Sequence, residues 1–436
     1  MSQVASRIMC HLGSVGRYVA ATMRAHVSSA ASGIVFTTAL VLATAAPVCA
    51  QRIIHLSSTP TCSKCKIQLT RVAVLGQDEG EAAVGPSGIV ERDSRGRYYV
   101  VHMFAPYQVL LFDSTGAFVK AVGREGDGPG EYRMVSSVVI AAGDTLHLFD
   151  GGTLRHTVLS PDFDVVRTST MEVRPGYDGV SLLSDGALLV QAIHPTAQSV
   201  GYPLHLLDSD GKFVRSFGTD DPDVGPQNMY IKTVRILNAA PKDRVWISRW
   251  HEYVVELWGR DAIKYTEIRR AGPWFRDNSR TWDGKSPPTA EMCGVWEDPY
   301  RRLWILVRVP GARWRDVPKV GGEEGGFSYD PSEWTSAYDT MIDVVDLQSG
   351  RLLVSEKVDP AAVLFTHDGL MPSYRETDAG YPRIDVWHAA LITPSRNLNR
   401  PAQTTAGYSR LRERSRDAAS ALAPRAEAHS GTEPAS

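Results

Sequence analysis

The sequence carries almost no net charge. Its 436 residues include 47 lysines and arginines against 49 aspartates and glutamates, which gives a formal net charge of −2. Nothing therefore points to a nucleic-acid partner held by bulk positive charge. Long apolar runs are missing beyond the first fifty residues, and we expect no stable membrane span in the processed chain.

The signatures of common catalytic sites are missing as well. The chain contains no HExxH, no GxSxG and no paired-carboxylate motif. Eight histidines of the main body are scattered without metal-ligand spacing: His102, His147, His156, His194, His205, His251, His367 and His388. Because nothing marks one of them out, we interpret each as structural and predict no catalytic, cofactor-binding or metal-binding residue.

Cysteine is scarce, with five residues in the chain. Cys62 and Cys65 form a CxxC motif, but the lysine that follows it excludes a haem attachment site, which needs histidine there. A zinc site would need a second pair, and a redox pair normally opens a helix. We predict a local disulfide between Cys62 and Cys65, with metal or redox roles as alternatives, and a buried free thiol at Cys293.

The first fifty residues are typical of an export signal. The run Gly33–Ala46 is apolar, uncharged and too short for a comfortable membrane span. Three arginines precede it: Arg7, Arg17 and Arg24. We predict a signal peptide over residues 1–50, cut after Ala50, with Met23 as an alternative start and an uncleaved anchor as the alternative interpretation. The protein would then be periplasmic or extracellular.

Glycine and proline are plentiful, at 37 and 26 residues, which favours short strands joined by turns. The clearest unit is Pro86–Gly123, where strand-forming runs end at the turn signals Asp93–Gly96 and Asp113–Gly116. Four antiparallel strands joined in this way make one blade of a β-propeller.

The same pattern returns along the chain at intervals of 42 to 58 residues. A turn followed by a strand recurs at five landmarks: Tyr98, Leu146, Leu188, Val245 and Leu303. A sixth unit at Val363–Ile392 is one strand short, and Ile67–Leu75 offers a spare strand that would close the ring. We predict an all-β, six-bladed β-propeller of four-stranded blades. A β-sandwich is the alternative, but it needs no such period.

The first unit resembles the NHL repeat of six-bladed propellers. The matching positions read Pro-x-Gly-Ile, then Asp-x-x-Gly-Arg-x-Tyr-Val, then Val-x-x-Phe-Asp-x-x-Gly: Pro86, Gly88, Ile89, Asp93, Gly96, Arg97, Tyr99, Val100, Val109, Phe112, Asp113 and Gly116. The loop Gly123–Tyr132 (GREGDGPGEY) is similar to a blade-to-blade loop of bacterial exported members. The Asn-His pair of the repeat is replaced at Ala105–Gln108, so the resemblance implies the fold rather than a binding mode.

Two loops are candidates for recognition. Glycines and carboxylates of Gly123–Tyr132 could hold an anion or Ca²⁺, but the ligand spacing is missing, and we interpret this loop as an inter-blade turn with local charge pairing. The insertion Gly311–Thr340 contains Trp314 and Trp334, which we predict as recognition residues; a flexible excursion is the alternative.

The predicted organisation is therefore a signal peptide, a lead with the CxxC motif (51–66), a propeller (67–393) and a disordered tail (394–436). The leading hypothesis is an exported binding or scaffold protein for a protein, peptide or carbohydrate ligand, without cofactor. The alternative is a metal-dependent enzyme similar to propeller lactonases or lyases, which would hold Ca²⁺ or Zn²⁺ at three or more His, Asp or Glu side chains on the axis.

Overall fold

The computed structural model shows six small antiparallel sheets arranged around an axis. It describes residues 51–78, 80–85, 88–102, 107–192, 201–218, 233–272, 275, 282–321, 327–329 and 333–393. The predicted signal peptide, the predicted tail, the side chains of His102 and His194, Pro86 and the glycine-rich centre of the insertion (322–326) lie outside this description. No helix among the described residues is long and apolar enough to cross a membrane.

Blades 1 to 3 follow two N-terminal strands, β1 (Arg52–Leu56) and β2 (Lys66–Leu75). Blade 1 contains β3 (Gly88–Arg92), β4 (Tyr98–His102), β5 (Val109–Phe112) and β6 (Phe118–Val122). A parallel pair, β7 (Arg124–Glu125) and β8 (Glu131–Tyr132), leads to blade 2, which contains β9 (Val135–Ile140), β10 (Leu146–Asp150), β11 (Arg155–Leu159) and β12 (Val165–Thr170). Blade 3 contains β13 (Val180–Leu182), β14 (Leu188–Gln191), β15 (Leu204–Leu207) and β16 (Phe213–Phe217).

Blades 4 to 6 continue the pattern. Blade 4 contains β17 (Arg235–Ala240), β18 (Arg244–Arg249), β19 (Val254–Gly259) and β20 (Lys264–Arg270). Blade 5 contains β21 (Glu291–Glu297), β22 (Arg302–Pro310), β25 (Tyr338–Asp346) and β26 (Arg351–Val358), with the hairpin β23 (Lys319–Gly321) and β24 (Phe327–Tyr329) in its insertion. Blade 6 contains β27 (Leu370–Glu376) and β28 (Pro382–Ile392). Short 3₁₀ helices occur at Ala142–Asp144 and Trp334–Ala337.

The repeat seen in the sequence is confirmed as the blade. Each of the five landmarks lies on the first or second residue of the second strand of its blade, on β4, β10, β14, β18 and β22. Neighbouring blades contact each other through their first strands, β3 to β9, β9 to β13, β13 to β17 and β17 to β21. These first strands therefore lie nearest the axis.

The N-terminal strand closes the ring, as predicted. Strand β2 pairs antiparallel along β28, from Ile67 opposite Leu391 to Leu75 opposite Ile384. On the inner side of the same blade, Val363 donates its amide to Pro372 O at 3.0 Å and Ala362 pairs with Ser373. Blade 6 thus obtains its outer strand from the start of the chain and its innermost pairing from residues 362–366.

The stretch 51–66, predicted as a lead with the CxxC motif, contains strand β1. This strand pairs in parallel with β20, so blade 4 has a fifth strand. The chain then crosses blade 5, where Thr61 and Cys62 donate their amides to Leu352 O and Leu353 O at 2.8 and 3.2 Å. We call residues 51–65 the strap, since they join the outer edges of blades 4, 5 and 6. Because β1 is only five residues long and lies outside the repeating pattern, the sequence did not predict it.

The hydrophobic core is divided into six layers, one between each pair of neighbouring blades. The layer between blades 6 and 1 includes Leu75, Val100 and Val386, each fully buried, and it closes the circle. Inner and middle strands are covered on both faces, whereas outer strands such as β12 are largely exposed. Blades splay apart with distance from the axis, which explains this gradient.

One turn structure recurs in blades 1 and 5. The carboxylate of Asp93 accepts the Arg97 amide, the Arg97 Nε–H and the Tyr99 hydroxyl at 2.9, 2.7 and 3.0 Å. Asp298 accepts the equivalent bonds from Arg302 and Trp304 at 3.0, 2.6 and 3.0 Å. An Asp, an Arg four residues later and an aromatic donor six residues later therefore fix the tight turn between the first two strands.

Candidate functional site

A small polar cavity lies where the first strands of the blades converge. Its volume is about 20 Å³, and its lining comes from five of the six blades. The polar lining residues are Glu91 from blade 1, Asp178 and Ser181 from blade 3, Asn238 from blade 4 and His367 from blade 6. We call this space the axial cavity. Because each residue lies on a first strand or its flanking turn, the sheets hold the lining in place.

Two acidic groups face the axial cavity. Burial, reinforced by the charge of Asp178, raises the pKa of Glu91 well above its usual range, although the His367 amide donates to its carboxylate at 3.1 Å. Burial raises the pKa of Asp178 to about 7. Asp178 retains some accessible surface while protein surrounds it, as expected for a residue that lines a cavity. No cationic side chain is among the main influences on either carboxyl group.

Two of the residues that line the cavity each have a buried oxygen without a hydrogen-bond partner. Ser181 and Asn238 are only 3% and 8% exposed. Neither Ser181 Oγ nor Asn238 Oδ1 has a hydrogen-bond partner among the described residues. Buried polar atoms normally find partners in the protein or in ordered water, so these two oxygens are exceptions.

A second polar group lies where the blade 5 insertion leaves the ring. We call it the entrance cluster, and its members are Tyr177, His251, Glu291, Arg308 and Tyr338. Glu291 and Arg308 face each other on β21 and β22 and form an ion pair at 2.7 Å, with side chains only 17% and 14% exposed. Burial of the phenol, reinforced by the charge of Glu291, raises the pKa of Tyr338, and burial lowers that of His251. Tyr177 directly precedes Asp178, so the cluster adjoins the axial cavity.

The insertion is a small folded unit rather than an extended loop in its described part. We define the cap as residues 311–337 together with Trp282. Gly311 donates its amide to Ala337 O at 2.9 Å and closes the base of the cap. Inside it, four buried residues form a separate hydrophobic core: Trp314, Val317, Tyr329 and Ala337. The Phe327 amide donates to Trp282 O at 3.0 Å, which ties the segment before blade 5 into the same unit.

The two tryptophans predicted for recognition have different positions. Trp314 is 5% exposed, and the cations of Arg315 and Lys319 lie 4.5 and 5.8 Å from its ring centre. Trp334 is half-buried at the base of the cap, with the Arg308 guanidinium 4.5 Å from its ring centre. Trp314 therefore stabilises the cap from within, while Trp334 connects the cap to the entrance cluster.

Cys62 and Cys65 form the disulfide that the sequence indicated. Cys293 is a buried free thiol whose pKa is raised to about 11 by burial, so it stays protonated. Among the described residues, no three His, Cys, Asp or Glu side chains form a group that could hold a metal ion.

The Gly123–Tyr132 loop satisfies its own charges. The Glu131 carboxylate accepts the Gly128 amide and the Arg124 Nε–H at 2.7 and 2.8 Å. Asp127 pairs with Arg133 at 2.8 Å. The backbone amide of Gly128, which an anion would need, is thus donated to Glu131. The loop is therefore an inter-blade turn whose charges pair locally, as we expected.

Sequence reasoning missed Glu91 and Asp178. A signal for Glu91 existed, since it is a charged residue directly after the apolar Ile89 and Val90 of strand β3. Asp178 lies in Gly176–Gly179, which has the composition of an ordinary turn. The histidines that the structure describes do not converge: His147 and His156 pair with each other in blade 2, and His205 bonds Ser216 in blade 3.

Comparison with known proteins agrees with this architecture. The DUF5128 family model, described as a 6-bladed beta-propeller, matches residues 84–157. A Bacteroides fragilis protein predicted to be exported aligns with a TM-score of 0.52 at 12% identity, over 78% of this chain and 100% of that one. The chain resembles exported six-bladed propellers.

Two further structures align with the chain. A DUF4221 family member from Bacteroides vulgatus aligns with a TM-score of 0.51 at 9% identity, over 75% of this chain and 99% of that one. A virginiamycin B lyase from Staphylococcus aureus aligns with a TM-score of 0.40 at 10% identity, over 74% and 99%. Identities this low show the fold alone. No curated protein matches the sequence.

Proposed function

We propose that the protein is an exported binding protein that takes a protein, peptide or carbohydrate ligand at the cap end of the ring. The observation that carries this proposal is the connection from the cap to the axis: Trp334 lies over Arg308, and Arg308 is paired with Glu291 on the first strand of blade 5. The cap plays no part in ring closure, yet it has its own core. Folded insertions beside an axial opening are where recognition concentrates on such scaffolds.

The structure allows a clean deletion of the cap. Because Gly311 and Ala337 are hydrogen-bonded at its base, residues 312–336 can be replaced by a two-residue turn that leaves β22 and β25 paired from Pro310 to Tyr338. The full chain and this capless variant are applied to arrays of defined peptides and glycans. Binding by the full chain that falls at least about tenfold in the capless variant supports the proposal, a difference of about 1.4 kcal/mol.

Trp334→Ala and Arg308→Lys refine this test. Lysine keeps the charge but loses the flat guanidinium that lies against Trp334 and pairs with Glu291. Both variants should weaken binding while the melting temperature stays close to that of the full chain. Trp314→Phe, inside the cap core, is the matched control and should bind normally. Equal binding by the full chain and the capless variant contradicts the proposal.

Export has a separate test. The predicted signal peptide and the Cys62–Cys65 disulfide, a bond that persists in oxidising compartments, both support it. Strand β1 begins at Arg52, one residue after the N-terminus that cleavage behind Ala50 would create. N-terminal sequencing of the protein isolated from its producing cells should begin at Gln51. A sequence that begins at Met1 or Met23 contradicts cleavage.

An enzyme with an axial site is the second candidate. The observation in its favour is Asp178, whose pKa of about 7 suits proton transfer at neutral pH. A panel of chromogenic lactones and esters at neutral pH tests this candidate. Turnover that is lost in Asp178→Asn and Glu91→Gln supports it, and absence of turnover across the panel counts against it.

A further inference from the structure

Two blade boundaries of the propeller are built alike. At the boundary between blades 1 and 2, the Ser94 hydroxyl donates to the Asp144 carboxylate at 2.6 Å. At the boundary between blades 3 and 4, the Ser184 hydroxyl donates to the Asp243 carboxylate, also at 2.6 Å. In each case a serine in the first turn of one blade bonds an aspartate in the first turn of the next blade. Side chains at the two boundaries can therefore be compared position by position.

The turn between the third and fourth strands is also equivalent in blades 2 and 4. Phe163 donates its amide to Ser160 O at 2.9 Å, and Ala262 donates its amide to Gly259 O at 3.0 Å. Both residues have a left-handed backbone, with φ of 75° and 62°. Phe163 and Ala262 therefore occupy the same position in their blades, although only Phe163 has a large side chain.

Large side chains fill the boundary between blades 1 and 2. The Phe163 ring centre lies 6.2 Å from that of Tyr99 and 4.2 Å from the Lys120 ammonium. The Arg97 guanidinium lies 5.7 Å from the same ring centre and donates to Pro161 O at 3.4 Å. An aromatic ring under two cations is thus the protein's own filling of this boundary.

The boundary between blades 3 and 4 has alanine at both positions. Ala262 replaces Phe163. Ala187 replaces Arg97, because the carbonyl of each accepts the amide hydrogen bond that closes the first turn of its blade. A pocket of about 180 Å³ opens at this boundary, and we call it the rim pocket. The lining residues used below are Asp185, Ala187, Leu206, Asp208, Ser209, Val214 and Arg260.

The rim pocket combines an apolar lining with a polar edge. Ala187 and Leu206 line it together with Val214, which is 47% exposed. Arg260 reaches over from blade 4 and pairs with Asp185 of blade 3 at 2.6 Å, and both side chains are about half exposed. An apolar cavity of about 150 Å³ accommodates benzene. The rim pocket therefore has room for one aromatic ring, and Arg260 provides a cation for its face.

We propose that the rim pocket binds a phenol ring, supplied by a small aromatic compound or by a tyrosine side chain. The ring takes the position that Phe163 has between blades 1 and 2, and it lies against the apolar lining with Arg260 near its face. The phenol hydroxyl finds polar partners in Asp208 and Ser209, which also line the pocket. Small apolar pockets with a few polar groups at one side are typical ligand sites.

The charges at the edge favour a neutral ring over an anionic one. Asp185 and Asp208 bring two carboxylates to the pocket against the single guanidinium of Arg260. The Ala187 amide and Arg260 hold the pKa of Asp185 below its usual range, so this carboxylate is ionised at neutral pH. A phenol, with a pKa of about 10, is neutral there. Benzoate adds a third negative charge and should bind at least about tenfold more weakly.

This site is separate from the cap. The turns between the first two and the last two strands leave every blade at one end, and they form the rim pocket. The cap joins the second and third strands of blade 5, so it leaves the ring at the opposite end. The proposal therefore does not depend on the proposed function, and the capless variant should bind a phenol as well as the full chain does.

The test is a titration of the purified protein with p-cresol, which is the tyrosine side chain as a free compound. Calorimetry and ligand-observed NMR should show saturable binding with a dissociation constant of about 1 mM or lower. A parallel titration with N-acetyl-tyrosinamide distinguishes the two sources of the ring. It binds at least as tightly as p-cresol if the ligand is a tyrosine side chain, and more weakly if the pocket takes a free compound.

A filling variant assigns the binding to the rim pocket. Ala262→Phe copies blade 2 and should weaken p-cresol binding at least about tenfold, because the new ring takes the same space. Phe163 already adopts this backbone conformation, so the melting temperature should not fall. Ile263→Phe is the matched control: it adds the same ring at the next residue, which is 40% exposed, and it should retain binding.

Three outcomes would overturn the proposal. The first is the absence of saturable p-cresol binding to the wild type. The second is equal binding by the wild type and Ala262→Phe, which places the ring elsewhere. The third is equal binding of p-cresol and benzoate, which contradicts the charges at the edge. If Ala262→Phe fails to fold, Ala187→Met carries the comparison, because it fills the pocket from the position of Arg97.

Discussion

The Arg270 guanidinium donates to the Asp343 carboxylate at 2.5 Å between blades 4 and 5. Both side chains are almost fully buried, at 4% and 0% exposure. The Tyr253 hydroxyl also donates to Asp343 at 2.5 Å, and Arg270 donates to Ser58 O of the strap at 3.0 Å. The Arg270–Asp343 pair thus holds together two blades and the N-terminal strap.

Asp343→Asn should destabilise the protein strongly, because Arg270 would keep its buried charge without its carboxylate partner. Loss of one member of a buried ion pair costs about 3–5 kcal/mol. Urea unfolding measures the change. Asp339→Asn on the same strand is the control: Asp339 pairs with Lys357 at the surface, so it should cost at most about 1 kcal/mol. Equal losses in the two variants would contradict this account.

A buried histidine pair in blade 2 should make stability depend on pH. His147 Nδ1 and His156 Nε2 lie 3.0 Å apart, and His156 stacks on Phe149. Burial, aided by the Arg167 charge, lowers the pKa of His147 to about 4. Burial, together with His147 and Arg167, lowers that of His156 to about 3. The unfolded chain, with pKa values near 6.5, therefore binds more protons below neutral pH.

The sign of this effect follows from the lowered pKa values. The contribution of the pair is complete above about pH 6.5 and is lost as the pH falls toward the folded values of about 4 and 3. Between about pH 7 and 4.5 the free energy of unfolding should drop by about 2–5 kcal/mol more in the wild type than in a His147→Gln, His156→Gln double variant. Parallel urea-derived curves for the two proteins would refute the assignment.

Asp178 should have the opposite pH dependence. Its folded pKa of about 7 lies above the ordinary value of 3.8, so its contribution is complete below pH 3.8 and is lost as the pH rises through 7. Asp178→Asn imitates the protonated acid, and asparagine tolerates the left-handed backbone at this position, where φ is 46°. The variant should be more stable than the wild type by about 1–3 kcal/mol near pH 8.5 and equal to it near pH 4. A variant that is less stable at both pH values contradicts this.

The architecture could be predicted because each blade repeats a local code. The turn signal at Asp93 and the strand that follows it recur at every landmark, and ring closure required only one unpaired strand with alternating apolar residues, Ile67–Leu75. The structure places that strand at Lys66–Leu75. These features depend on residues close together in the sequence or on the repeat interval of the blades. Both can be recognised in a single sequence.

The candidate site depends on long-range contacts that do not follow the sequence repeat. Glu91 and Asp178 lie 87 positions apart in the sequence and reach one cavity only because the first strands converge on an axis. The cap core also depends on a long-range contact, since Trp282 packs against it from outside the insertion. The eventual burial of Trp314 could not be read from its position in a glycine-rich stretch.

Strand β1 provides the last test, because its two faces differ. Ile54 is 6% exposed and packs into the layer between blades 4 and 5, whereas its neighbour Ile53 is 55% exposed. Alternate side chains of a strand point to opposite faces, so Ile54→Ala should cost about 2–4 kcal/mol and Ile53→Ala about 0.5 kcal/mol or less. Urea unfolding of both variants checks the difference. Similar small losses at both positions would mean that the strap does not pack on blade 4 in solution, and that the propeller begins at β2.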